Sequence, residues 1–341
     1  MRVGVLGAGL IPRLPTSRRV AKRAISSFTH SVMPRRICSA RWHRFFEPTK
    51  TFGDYDALLE DEKVDAVVVA IADQFHVAMA VKALKAGKHV LIEKPMGISV
   101  GECERLRDVA HAHPKLHVQV GTMRRFDPGV GFAHEFIRDE IGELLAFKAW
   151  YCDSIYRYQE TDNLHPLIHS SPQVRRSSGN PKADKFPYYL LGQGRHLVDT
   201  ARFLCGDILA VRAEYREKFG AHSWFVSVEF ANGAHGHLDL TLPMRMEWHE
   251  GVGKSTNPWY FKSSEVECFS TRDGQYHRPL GPDGHTFRRQ IEGFAAVVLK
   301  GAPAIGAGVE DGLAALRALS AISHSAKTGQ RVALSEAPGN V

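Results

Sequence analysis

At 341 residues, 44% hydrophobic and 24% charged, the chain has the composition of a soluble protein with room for two domains, and no apolar run is long enough to span a membrane. The net charge of +7 does not describe a basic surface: residues 12–50 hold ten Lys/Arg against one acid, Glu47, a surplus larger than that of the whole chain, which argues against a nucleic-acid-binding protein. Five scattered cysteines with no CxxC pair exclude a disulfide scaffold and fit reduced thiols in the cytoplasm.

The opening stretch 3–6 reads as a strand running into Gly7-Ala8-Gly9, too short and glycine-rich for a signal peptide. Residues 64–72 (Val-Asp-Ala-Val-Val-Val-Ala-Ile-Ala) read as a strand buried on both faces. Asp73 is placed to cap a helix over 74–86, with Phe75, Ala78, Val81 and Leu84 at helical spacing, Lys82 and Lys85 near its end and Gly87 at its stop. A strand over 89–92 follows. Ser99-x-x-Glu102 is a capping box for a helix to about 113, and 117–120 forms another strand. This alternation predicts a parallel sheet with helices on both faces over residues 1–121.

The pattern changes near 122. Asp127-Pro128 opens a helix to about 140, 144–152 reads as a strand, and 153–186, rich in His, Pro, Ser and Arg, as a long loop over a site. A helix over 188–204 precedes strand-like stretches. Asn232-Gly233 marks a hairpin between 225–230 and 234–240, and Asp273-Gly274 lies between 266–270 and 275–278. Helices near 287–299 and 308–326 and a short strand at 331–334 close the chain. Residues 122–341 thus read as an α+β domain with a mostly antiparallel open sheet.

With its elements in this order, the chain resembles the glucose–fructose oxidoreductase / inositol dehydrogenase (Gfo/Idh/MocA) family. The likeness covers residues 1–11 and about 51–334. Its carriers are Gly7-Ala8-Gly9, Asp65-Ala66-Val67-Val68-Val69-Ala70, the run from Ala86 through Glu93-Lys94-Pro95, Met123-Arg124-Arg125-Phe126-Asp127-Pro128, Gly194-Arg195-His196-Leu197-Val198-Asp199 and the segment from Glu310 to Arg317. The resemblance implies NAD or NADP as cofactor and a Rossmann domain. It also implies a second domain whose open sheet often forms an oligomer interface, hence a homo-oligomer, dimer or tetramer. The implied substrates are sugars, polyols or related keto compounds.

In such a fold, ligands sit beyond the carboxyl ends of the parallel strands. Lys94, held between Glu93 and Pro95 just past a strand, is the first candidate catalytic group. Its ammonium would stabilise a developing alkoxide; a surface lysine is the structural alternative. His196, on a helix that resembles the family's substrate-domain helix, is the candidate acid/base, against a purely structural histidine. Gly7 and Gly9 would let the backbone approach a pyrophosphate, with Leu10 and Ile11 following them. Ala72, Asp73 and His76 lie past another strand end, with a solvent-facing helix histidine the alternative for His76. Glu93 and Arg125 complete the cofactor candidates. Arg124, Arg125, Tyr188 and His196 are the substrate candidates; core packing competes for Tyr188 and Tyr189, and helix capping for Asp127. No metal site is expected: Pro166 spoils the helical spacing of His165 and His169.

Three departures from the family pattern stand out. Pro12 replaces the third small residue of the glycine fingerprint. No acid precedes Glu47 to hold the adenosine ribose, and the second strand is hard to find, 36–40 being a poor candidate. Gly192 stands where the family usually has an aspartate, one turn before His196. For residues 12–50 three readings stay open: Arg35, Arg36 or Arg41 holding the 2′-phosphate of NADP, a basic face with no ligand, or a stretch foreign to the fold. The rivals to an oxidoreductase are a non-catalytic cofactor or sugar sensor and, more remotely, a nucleic-acid binder using 13–50.

Overall fold

The computed structural model describes residues 1–7, 27–32, 50–52, 54–154, 183–244, 267–270, 272–277 and 286–341. In chain order these form β1 (Arg2–Leu6), β2 (Ser27–Val32), β3 (Lys50–Phe52), α1 (Tyr55–Glu60), β4 (Ala66–Val69), α2 (His76–Lys85), β5 (His89–Ile92), α3 (Val100–Ala112), β6 (Val118–Val120), α4 (Pro128–Phe136) and β7 (Ala146–Ser154). Then come α5 (Lys185–Tyr189), α6 (Arg195–Cys205), β8 (Ile208–Lys218), β9 (Ala221–Phe230), β10 (His235–Met244), β11 (Cys268–Ser270), β12 (Gln275–His277), α7 (Thr286–Lys300), α8 (Val309–Thr328) and β13 (Val332–Ala333). The described residues fall into two units, one holding those up to 128 with 286–313, the other those of 129–277 with 314–341.

The first unit is built on a parallel sheet in the order β3-β2-β1-β4-β5-β6. Val3, Val5, Ala66, Val67, Val69, Val90, Leu91 and Ile92 are buried, as a sheet covered on both faces requires. The chain winds outward in opposite directions from β1 and β4, so a switch point lies above their carboxyl ends, where open α/β sheets take their ligands. The second strand proves to be Ser27–Val32, inside the basic segment and ahead of 36–40. Its Ser-Phe-Thr-His-Ser-Val composition hides it, because a central parallel strand is expected to be apolar throughout.

Helix α2 buries Val77, Ala80, Ala83 and Leu84 and stops at Gly87, whose φ of +73° needs no side chain. Asp73 does not cap it. Phe75 takes that position, and Asp73 becomes the first residue of a 3₁₀ turn, Asp73–Phe75, entered from extended Ala72 with no side-chain cap bond. One sheet face is covered by α7, whose Phe294 packs with Val3, Ala66 and Leu91. Gln119 of β6 donates to the Gln290 carbonyl at 3.2 Å, and the Val120 amide donates to the Ala307 carbonyl at 2.7 Å.

The second unit carries a five-stranded sheet, β13-β8-β9-β10-β7, antiparallel except for the β10–β7 pair. Alternate residues of β9 (Trp224, Val226, Val228, Phe230) join Leu238, Leu240 and Leu242 of β10 in a core with Leu197, Val198 and Ala201 of α6 and Ala318, Leu319 and Ile322 of α8. Each large apolar side chain so buried contributes about 1.5–3 kcal/mol. The Asn232-Gly233 hairpin forms between β9 and β10, with Gly233 at φ +86°, and β11 pairs with β12 around Gly274.

Candidate dinucleotide and substrate site

The carboxyl ends of β1, β4, β5 and β6 are joined tightly. The Ala70 amide donates to the Leu6 carbonyl, the Glu93 amide to Val69 at 2.9 Å and the Gly121 amide to Ile92 at 2.7 Å. Gly7 follows β1 at φ +108°, and a Cβ there would lie 2.2 Å from the Ala70 carbonyl oxygen. Only glycine fits, so the backbone is bare where a pyrophosphate would approach. This crowding is the observation that makes the strand ends fit a dinucleotide. Ala8, Gly9, Leu10, Ile11, Pro12, Arg35, Arg36 and Arg41 lie outside the described residues, as do His165, His169 and most of the 153–186 loop. Ala72 and Asp73 are exposed just past β4.

The Glu93-Lys94-Pro95 turn has a distinctive burial profile. Glu93, Pro95, Met96 and Gly97 are all buried, while Lys94 between them is half-buried. The backbone is thus held while one long cation is presented. The Glu93 carboxylate is 5% exposed and accepts from the Lys94 amide at 3.2 Å. Gly121 lies against it, and a Cβ at that position would sit 3.1 Å from all three carboxylate atoms. No motif around Gly121 announces this role, beyond its place directly after β6.

His76 is buried rather than solvent-facing, at 1% exposure. The 3₁₀ turn ahead of α2 rotates its ring inward, where Nδ1 lies 2.6 Å from the Pro95 carbonyl and Nε2 3.1 Å from that of Ile71. Arg124 and Arg125 lie in a 3₁₀ turn, Met123–Phe126. Arg125 is buried and makes a two-pronged contact with Asp311 at 3.0 and 3.2 Å. Asp311 also accepts from the Gly308 amide at the start of α8. The guanidinium therefore anchors the first turn of α8, a commitment that spacing along the chain could not reveal.

In the second unit, the helix read over 188–204 begins earlier. Asp184 accepts from the Phe186 amide at 3.0 Å to start α5, and a wide π turn, Leu190–Gly194, joins α5 to α6. Such turns add a residue to the helical spiral and recur at functional sites. Here one ends two residues before His196. A Cβ on Gly192, within the π turn, would meet nothing within 4 Å. Arg195, His196 and Asp199 are all buried on α6. Tyr189 is buried beside Tyr188, ring centroids 5.5 Å apart, and burial raises its hydroxyl pKa above the ordinary tyrosine value, with nearby Tyr188 adding to the shift. The Lys185 ammonium stands 5.4 Å over the Tyr188 ring. Among the described residues no group of three His, Cys, Asp or Glu is arranged to hold a metal ion.

The Gfo/Idh/MocA family profile, described as an oxidoreductase family with an NAD-binding Rossmann fold, matches residues 1–122. Inositol 2-dehydrogenase 2 of Saccharopolyspora erythraea is 26% identical over 99% of this chain and 96% of its own length. The 1-carboxy-3-chloro-3,4-dihydroxycyclohexa-1,5-diene dehydrogenase of Comamonas testosteroni is 30% identical over 80% of this chain and 65% of its own. Over residues 1–122 the chain matches the Gfo/Idh/MocA family of oxidoreductases. It is an NAD(P)-dependent oxidoreductase. The fold is shared with the Lactobacillus casei scyllo-inositol dehydrogenase solved with NAD(H) and scyllo-inositol, at a TM-score of 0.71, 18% identity and coverage of 98% of this chain and 99% of that one.

Proposed function

We infer that this protein moves hydride between a nicotinamide cofactor and a secondary alcohol or carbonyl of a cyclic polyol or sugar, of which inositol is the leading example. The observation carrying this is the Glu93-Lys94-Pro95 turn, in which a half-buried lysine projects from an otherwise buried backbone at the carboxyl end of β5. The relatives' names point to the same substrate class. We assign dinucleotide binding to the first unit, which holds Gly7, Ala72, Asp73, Glu93 and Lys94, with Gly9, Leu10 and Ile11 continuing the glycine turn. Assembly falls to the second unit, which also holds the substrate candidates Tyr188 and His196.

When bound, the nicotinamide supplies a hydride acceptor or donor. Lys94 donates a hydrogen bond to the reacting oxygen and stabilises the charge it gathers. Glu93 holds the Lys94 amide and fixes the turn. His196 takes or returns the hydroxyl proton as general base or acid, and Arg124 and Tyr188 contact substrate hydroxyls.

The open face of the second unit's sheet supports a homo-oligomer, dimer or tetramer. The register aligns Glu214, Phe225, Asp239 and Trp150 in one row across β8, β9, β10 and β7, with Phe225 44% and Trp150 56% exposed. Neighbouring rows carry Arg212, His237 and Lys148 on one side and Arg216 on the other. An aromatic centre with both charge signs around it suits a second copy of the same face. A cytoplasmic location fits the absence of disulfides among the described cysteines, and no described helix is long and apolar enough to cross a membrane.

A turnover screen tests the assignment: myo- and scyllo-inositol and a set of aldoses, each with NAD and NADP, followed by cofactor reduction. Turnover on a cyclic polyol is expected. Gly192, with no carboxylate to share in proton transfer, favours a second reading as a cofactor or sugar sensor, and cofactor binding without turnover on any of these compounds would establish it.

A further inference from the structure

His76 begins α2 at 1% exposure, and its two ring nitrogens face the carbonyls of two different strand-end loops. Ile71 lies two residues past β4, Pro95 three residues past β5, and these strands are adjacent and parallel. A neutral imidazole carries one N–H. The 2.6 Å contact to the Pro95 oxygen is too close for two facing lone pairs, so Nδ1 carries the proton and donates there. The acceptor belongs to the residue immediately after Lys94.

The residues on either side of Pro95 are held by contacts of their own, the Lys94 amide by the Glu93 carboxylate among them. Glu93 is tied to Val69 through its amide. Gly97 is wedged so closely between α2 and α3 that a Cβ would lie 2.9 Å from both Val77 and Cys103. Met96 packs against Gly312, a Cβ there coming within 2.6 Å of its sulfur. His76 bonds the Pro95 carbonyl, at the middle of the run and next to the lysine.

We propose that His76 is a positioning residue for the reaction: by donating from Nδ1 to the Pro95 carbonyl it sets where the Lys94 ammonium stands. It need not touch cofactor or substrate to do so. The inference rests on Lys94 being the oxygen-polarising group.

The test uses amides that imitate one nitrogen each. An asparagine amide falls near Nδ1 and a glutamine amide near Nε2, so His76→Asn keeps the Pro95 bond and His76→Gln loses it. In the full-length enzyme, kcat of His76→Asn stays within about threefold of the parent, while His76→Gln falls about 10²-fold with the substrate KM within about twofold, since a displacement near 1 Å costs roughly that much. In a Lys94→Ala background the glutamine change has no further effect; a full additional loss there would overturn the proposal.

A second readout needs no turnover. Acetic anhydride labelling of the protein without cofactor, read by mass spectrometry, changes in rate at Lys94 by more than threefold in His76→Gln but not in His76→Asn, with Lys148 as the internal reference. Unchanged labelling at Lys94 overturns the clamp even if the parent turns over. Altered labelling in a protein inactive on every substrate upholds it and rejects the dehydrogenase assignment instead. Should the glutamine chain fail to fold, ¹⁵N-histidine NMR of the parent decides. An exchange-protected proton on Nδ1 of His76 supports the bond, and a proton on Nε2 alone removes it.

Discussion

Lys94 is held by its neighbours and presented by its own length. Because the backbone around it is buried, Lys94→Ala removes an ammonium without loosening the turn. The expected result is a fall in kcat of about 10²–10³, the usual loss of one donor to a developing oxyanion, with NADH affinity retained in a fluorescence titration. A variant turning over at near-parental rate would take the lysine out of the chemistry. A different residue-scale effect involves His89 and His117. Burial lowers the pKa of both below the ordinary histidine value, and the Nδ1 of His89 accepts from the His117 amide at 2.9 Å. The folded state therefore binds protons less readily than the unfolded chain. The stability this gives is complete above the unfolded pKa, near 6.5, and is lost as pH falls through the lower folded values. Tm should drop between pH 7.5 and 5.5, and less so in His89→Asn, which offers an acceptor oxygen but does not titrate; calorimetry across this range checks it. At this scale the strand-end place of Lys94 was legible, because a tripeptide after an apolar run carries position as well as identity. The commitment of Arg125 to Asp311 was not, since 186 residues separate the partners.

Among elements, the capping box at Ser99 forms with a shifted return arm. Ser99 Oγ accepts from the Glu102 amide at 3.3 Å, and Glu102 reaches back to the Ile98 amide rather than that of Ser99. Ser99→Ala should cost about 1 kcal/mol in urea unfolding, and no loss would mean that the Glu102–Ile98 arm suffices. Strands with apolar runs, helices with caps and the Asn232-Gly233 hairpin could all be read from residue pattern. The failures have local causes. Ser27–Val32 is polar enough to pass for loop, yet its backbone pairs with β1 on one side and β3 on the other. The π turn at Leu190–Gly194 leaves no mark that distinguishes it from ordinary helix in a one-dimensional reading. It also bears on Gly192. A carboxylate placed there has room, but the widened turn changes the helical phase between it and His196.

At the scale of the whole molecule, the row from Glu214 to Trp150 bears on assembly. The double variant Trp150→Lys/Phe225→Lys puts two more cations at the centre of that face and should lower the mass found by light scattering from a multimer to 37.9 kDa, with the helical circular dichroism unchanged. A parent already at the single-chain mass would end the oligomer proposal. The family's two-part plan was readable from the change of pattern near 122. The way the chain later rejoins the first unit was not, because nothing in the composition of 286–313 says which sheet that stretch will cover.

That return has a practical side for anyone wishing to borrow the cofactor-binding half. A gene cut after codon 128 would express the six strands without the lid that Phe294 and Gln290 place over Val3, Leu91 and Gln119, and the edge amide of Val120 would lose its acceptor. Such a fragment should be recovered as precipitate. Splicing 286–313 back through a flexible tether should return it to solution, so transplanting this half into another enzyme means carrying two separated pieces of the chain.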